Sequence, residues 1–301
     1  MMFGYTGGAV LLAALLHASW NAMLHGNRDR LLSMAWMSIA IAAVSTAVAA
    51  SAPLPNIAAW PYIVASGLIH VVYNASLVYS YRRGDLTQAY PIARGSSPLL
   101  VTLGAAVFAH EEIGPLRLLG IVMVSGGIIA LALPRRAYAA SARKSGAVGD
   151  RAGEPVRGPR IALLAAFATG ALIAVYTVID GIGVRLSDGQ ALRYIAWMFL
   201  FYWLTPLLFI ATRGVRALVE PVRAAPSAIF SSIAGGLVSI GAYGIVIWAM
   251  QWGEMGAVSA LRETSVVFAL LIGRAFLGET VSGQRWIACL VVAAGAICLG
   301  L

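Results

Sequence analysis

The chain has 301 residues, 60% hydrophobic and 11% charged, with a mean hydropathy of +0.84, whereas soluble domains are roughly half apolar and about a quarter charged. That composition excludes a soluble globular protein. The net charge of +9 does not signal nucleic acid, because seven of the 21 bases fall in one polar stretch, residues 135–160, and most others flank apolar runs, which is the pattern of membrane topology.

Residues 31–81, 161–179 and 224–253 contain no Asp, Glu, Lys or Arg. Cutting the chain at Pro, Gly and charge clusters predicts ten spans of about 20 residues, near 5–24, 31–51, 58–80, 87–109, 115–133, 161–183, 192–212, 226–251, 255–277 and 285–301. The first run has no basic leader and ends in HASWNA without an A-x-A cleavage pattern, so it is expected to stay as a span. Cys289 and Cys298 share the last run, nine residues apart on one helix, and read as packing residues.

In chain order, span 1 places His17, Trp20, Asn21 and His25 along one helical stripe, and span 3 repeats the theme with His70, Tyr73, Asn74 and Tyr81. Such stripes either line a cavity or hydrogen-bond between helices. Span 4 opens with Pro91, Arg94, Gly95 and Pro98, and the two prolines are expected to weaken the helix beside Arg94, as in the broken helices of transporters. Asp180 ends span 6, either facing the headgroups or buried as a proton carrier. Span 8 carries Gly235 and Ser239 for close helix approach and Tyr243 as a cavity aromatic.

Span 9 carries Arg262 and Glu263. Neighbouring helix positions diverge by about 100°, so these two are expected not to pair, and Glu263 takes another partner: a substrate ammonium, a proton or Arg94. A charge inside a span costs roughly 2.5–3.5 kcal/mol and calls for a partner or a task. Arg94 and Arg262 either form two guanidinium forks for an anion or snorkel and lock to neighbouring helices.

Sliding the chain by 168 residues superposes 89–133 on 257–301 without a gap, pairing Arg94 with Arg262, Ser97 with Ser265, Glu111 with Glu279, Arg117 with Arg285 and Gly127 with Gly295. Five spans per copy is odd, so the second copy enters the membrane inverted. The fold expected is an all-α integral membrane protein of ten transmembrane helices in two inverted five-helix repeats: 1–133, a basic flexible linker 134–160, and 161–301. Carried by Pro98, the apolar run to Glu111, Gly120 and Gly127, and by Glu279, Arg285 and Gly295, the chain resembles EamA-type ten-helix members of the drug/metabolite transporter superfamily. Val266 and Ala288 depart from its Pro and Gly pattern. The resemblance implies secondary transport of small metabolites, commonly export, with no ATP site, cofactor or metal.

The loops after spans 1, 3, 5, 7 and 9 hold fifteen bases, and those on the other face only Arg117, Arg185 and Arg193. By the positive-inside rule the termini lie outside, against the orientation common in the family. The leading expectation is a multi-pass carrier in a bacterial inner membrane, monomeric or homodimeric, moving a small polar anionic or zwitterionic molecule through a cavity of spans 1, 3, 4, 6, 8 and 9. Arg94, Arg262, Glu263, Trp20, Asn21, Asn74, Tyr73 and Tyr243 are its candidate binding residues, and His17, His70, Asp180 and Glu263 its candidates for proton coupling. A flippase for a lipid-linked sugar or phosphate is the alternative. No H-E-x-x-H, G-x-S-x-G or carboxylate cluster points to an enzyme, and a mere scaffold gives no reason for charges within spans.

Overall fold

A computed structural model describes residues 2–27, 29–83, 86–131, 159–277 and 282–300, and the regular elements among these residues are all helical. The expected linker therefore lies outside the described residues up to position 158, as does Glu279. The first half comprises α1 (Met2–Gly26), α2 (Arg30–Ser51), α3 (Trp60–Arg83), α4 (Leu86–Phe108) and α5 (Pro115–Leu131). The second comprises α6 (Pro159–Arg185), α7 (Ala191–Phe199), α8 (Leu204–Arg213), α9 (Val215–Ala224), α10 (Pro226–Met250), α11 (Met255–Glu263), α12 (Ser265–Leu277) and α13 (Gly283–Gly300).

Local chemistry sets the ends. The Asp29 carboxylate accepts from Leu31 and Leu32 N–H, both at 3.1 Å, and starts α2. The Asn56 side chain accepts from Ala58 N–H to open the 3₁₀ turn Ile57–Ala59 that feeds α3. Proline at the first position opens α5, α6 and α10. Gly214, at φ +82°, ends α8 in a conformation that a side chain resists.

Among the described residues nine helical stretches are long and apolar enough to cross a membrane, and the 17-residue α5 is a shorter apolar tenth. Three features differ from the sequence expectation. Span 4 is not broken: α4 runs through Pro91 and Pro98, as membrane helices packed against neighbours tolerate proline. Span 9 breaks instead, at Thr264, whose hydroxyl donates to the Leu261 carbonyl at 2.7 Å and competes with the helical ladder. Span 7 is interrupted by a 3₁₀ turn at Leu200–Trp203, and a further short helix, α9, follows it.

The packing repeats the sequence symmetry. A shift of 168 carries Gly120 to Ala288 and Gly127 to Gly295, and α5 crosses α13 at those residues. A Cβ on Gly120 would stand 2.8 Å from the Gly295 carbonyl, and one on Gly127 3.1 Å from the Ala288 carbonyl, so small residues let the two backbones meet. Likewise α4 packs on α6 while α1 packs on α11 and α12, and α3 packs on α6 while α10 packs on α1. The two inverted five-helix repeats thus interleave, and their charged residues meet between them. At α10 the tightest approach to α2 is made by Gly236 rather than the expected Gly235.

Candidate functional site

Among the described residues four charged side chains are buried: Arg94, Asp180, Arg262 and Glu263, at 3%, 0%, 2% and 0% exposure. Three of them form one cluster. The Arg94 guanidinium donates to both Glu263 oxygens at 3.0 and 3.1 Å, and Arg262 donates through Nε and Nη2 to Glu263 Oε1 at 3.1 and 2.9 Å. The expectation that Arg262 and Glu263 diverge is therefore corrected. The helix ends at Glu263, where Thr264 interrupts it, and the long arginine stem folds back to reach the adjacent carboxylate.

Arg94 is placed by α4 against α6, where Gly170 leaves room for Ser96 and the Ala93 carbonyl. Arg94 also contacts His17 Nε2 on α1, and Trp20 Nε1 donates toward His17 Nδ1 at 3.3 Å. A neutral imidazole has one N–H, so these two donors compete for a single lone pair.

Beside the ionic cluster lies a second polar group. Tyr194 and Tyr243 donate to the two oxygens of Asp180 at 2.9 and 2.6 Å, and the Ser66 hydroxyl is a further hydrogen-bond partner. Asp180 is thus interior and does not face the headgroups. His70 lies 3.0 Å from the Ser66 carbonyl through Nδ1. Its ring stacks on Tyr176 at 4.2 Å and approaches Tyr243 and Tyr202 at 5.2 and 6.1 Å. Trp20, Tyr73 and Tyr176 pack in one cluster that Tyr243 joins.

The structure thus brings together, from spans 1, 3, 4, 6, 8 and 9, His17, Trp20, His70, Tyr73, Arg94, Asp180, Tyr243, Arg262 and Glu263. Asn74 is buried beside Tyr73, with its amide nitrogen unpartnered. Asn21 is not brought in: it donates to the His17 carbonyl of its own helix at 2.9 Å. The side chains of His25 and Tyr81 lie outside the described residues. Span 7 contributes Tyr194 and Tyr202 unexpectedly. Tyr176, one turn before Asp180 on the same face, was the signal available for a missed residue; nothing in the sequence distinguishes Tyr194, Tyr202 or Ser66 from neighbours that face lipid.

A groove of about 410 Å³, lined by Val44, Val48, Ile195, Gly241, Gly244 and Trp248 among others, lies between α2, α7 and α10 and touches none of these charged residues. On the face carrying the loops after spans 4, 6 and 8, Arg185 donates to Glu111 at 2.5 Å and to the Met250 and Gly253 carbonyls. Glu111 also accepts from Met255 N–H at 2.9 Å, and Arg117 pairs with Glu254.

Interleaved repeats with charged groups buried at their interface define a multi-pass integral membrane transporter. The EamA-like transporter family model matches residues 6–133 and 160–301, and the chain belongs to that family, within the drug/metabolite transporter superfamily. A solved crystal structure of a protein 20% identical aligns over 99% of this chain and 96% of its own with a TM-score of 0.71, a likeness of fold. No match is found among curated proteins.

Proposed function

We propose that the chain exports a small polar metabolite bearing a carboxylate or similar anionic group, amino-acid-like zwitterions included, by alternating access around Arg94, Arg262 and Glu263. The observation that carries this reading is the sharing of one carboxylate by two buried guanidiniums. Arginine offers five N–H donors in a planar fork, a geometry that a ligand carboxylate can engage in competition with Glu263. One turn from each arginine, Ser97 and Ser259 hold buried hydroxyls without a partner, as do Thr177 and the Asn74 amide nitrogen. Buried polar atoms are normally satisfied, and a polar ligand would satisfy these. The aromatic wall of Trp20, Tyr73, Tyr176 and Tyr243 supplies apolar contact area.

The flippase alternative needs a lateral opening that reaches the arginines. The groove between α2, α7 and α10 touches none of them and so is not that opening.

The test is a ligand-dependent melting shift on detergent-purified protein across amino acids, organic acids, sugars, phosphonates and organic cations, repeated with Arg94→Ala and Arg262→Ala. A ligand at 100 times its Kd stabilises the folded state by about 2.7 kcal/mol. A shift from a carboxylate or zwitterion class, lost in both variants, is the expected result. A shift confined to cations or to lipid-linked phosphates, or one that survives both substitutions, overturns the assignment.

A further inference from the structure

We propose that Asp180 takes up a proton when a monoanion binds between Arg94 and Arg262, the two events being linked by the charge balance of the buried site. This rests on the transport reading above and adds to it a coupling ion and a stoichiometry.

The four buried charges are two arginines and two carboxylates. With both carboxylates ionised the set is neutral, and an arriving monoanion leaves one uncompensated negative charge inside the membrane, where such a charge costs several kcal/mol. A proton on one carboxylate removes that excess. The site then carries one anion and one proton together and stays neutral.

Hydrogen-bond chemistry decides which carboxylate accepts the proton. The contacts of Glu263 are guanidinium N–H groups of Arg94 and Arg262, and arginine is a donor without acceptor capacity. A protonated Glu263 would direct its O–H at donors. Asp180 instead meets the hydroxyls of Tyr194, Tyr243 and Ser66, each of which can donate to a carboxylate or turn and accept from a carboxylic acid. Asp180 can therefore be satisfied in either state.

The groups facing Asp180 are Ser66 and His70 on α3, Tyr194 on α7, Tyr202 in the 3₁₀ turn, Tyr243 on α10 and Tyr176 on α6 itself. Tyr62 adjoins Tyr194. Arg262 and Glu263 on α11 and Arg94 on α4 lie within electrostatic range of Tyr176, and Arg262 within that of Tyr243 and His70. Tyr243 thus hydrogen-bonds Asp180 while lying in the field of Arg262, joining the two halves of the site. By linkage, anion affinity and proton affinity change reciprocally.

The experiment is calorimetric titration of the purified protein with the carboxylate giving the largest melting shift, from acid to alkaline pH, in buffers of different ionisation enthalpy so that protons are counted. Wild type is expected to take up one proton per anion, with Kd rising tenfold per pH unit on the alkaline side. Asp180→Asn is expected to bind the same anion without proton uptake and without that pH dependence. If Asp180→Asn does not fold, Tyr243→Phe carries the test: losing a donor that stabilises the carboxylate moves the alkaline limb to higher pH. Binding by wild type without uptake, uptake retained in Asp180→Asn, or a limb unmoved in Tyr243→Phe overturns the inference.

If no carboxylate binds wild type, the transport reading fails on its own terms. The linkage is then read on ligand-free protein by infrared titration of the protonated-carboxyl band. That band is expected to vanish in Asp180→Asn, and to persist to higher pH both in Tyr243→Phe, which removes a donor to the carboxylate, and in Arg262→Gln, which removes a positive charge. A titration unchanged in Arg262→Gln overturns it.

Discussion

Glu263 is the counter-ion of two buried arginines, so its removal differs in kind from loss of a surface charge. Breaking a buried ion pair from one side is destabilising by about 3–5 kcal/mol because the remaining charge is left uncompensated. Glu263→Gln is therefore expected to lower the melting temperature strongly. Adding Arg262→Gln, which removes one of the stranded charges, is expected to recover part of the loss. A single variant that melts like wild type, or a double variant less stable than the single, would show that the cluster is not held by charge. The members of this cluster were legible in the sequence because a charge in an apolar run stands out whatever the helix does. The pairing of Arg262 with Glu263 was not legible, since it depends on the interruption at Thr264, and a threonine hydroxyl in a span carries no mark of the carbonyl it will bond. His70 and Tyr243 were legible as polar outliers, whereas Asn21 shares their stripe logic and yet bonds its own helix.

At the level of elements, the crossing of α5 and α13 gives a sharp contrast between glycines of similar sequence context. A Cβ on Gly295 would stand 2.8 Å from the Gly120 carbonyl and 2.9 Å from Met123 Cβ, while one on Gly126 would meet nothing within 4 Å. Overpacking of this kind costs about 1–3 kcal/mol. Gly295→Ala is expected to lower the melting temperature measurably and Gly126→Ala to leave it unchanged or slightly raised; equal effects would remove the close backbone crossing as a feature of the fold. The spans themselves were readable because charge-free runs of 20 residues and proline-opened helices leave few alternatives. Helix continuity was harder to read. Proline predicted a break in α4, yet the helix runs through both prolines, and nothing predicted the breaks in spans 7 and 9. The helix α9, VRALVEPVRA, reads as a polar turn because Pro221 and three charged residues interrupt it, yet Leu218 buries against Ala35 and Phe209 and fixes it to the bundle.

Across the whole molecule, the face carrying the loops after spans 4, 6 and 8 holds ion pairs that join the two repeats. Glu111 follows α4, Arg117 lies in the first turn of α5, Arg185 ends α6, and the Met250, Gly253, Glu254 and Met255 groups that these three engage join α10 to α11. This explains two of the three bases on the arginine-poor face: Arg117 and Arg185 are paired with acids there. Alternating access requires that such a tie be made and broken, and a partly exposed ion pair, worth about 0.2–1 kcal/mol, is weak enough for both. Opening is therefore expected to respond to Glu111→Gln. In a background carrying Cys289→Ala and Cys298→Ala, a cysteine placed at Ser259, one turn from Arg262, reports access to the buried site through a membrane-impermeant thiol reagent. Glu111→Gln is expected to raise the labelling rate from the face of the Glu111 loop by roughly 2–5-fold, the population change that such an energy produces. High salt is expected to act in the same direction by screening the pair, and the exposed neighbour Glu112→Gln to have little effect. Labelling unchanged in Glu111→Gln would mean that the Glu111 and Arg185 contacts merely decorate a face closed by helix packing. Labelling that rises only from the opposite face would place the opening at the basic loops, with this network serving as the hinge.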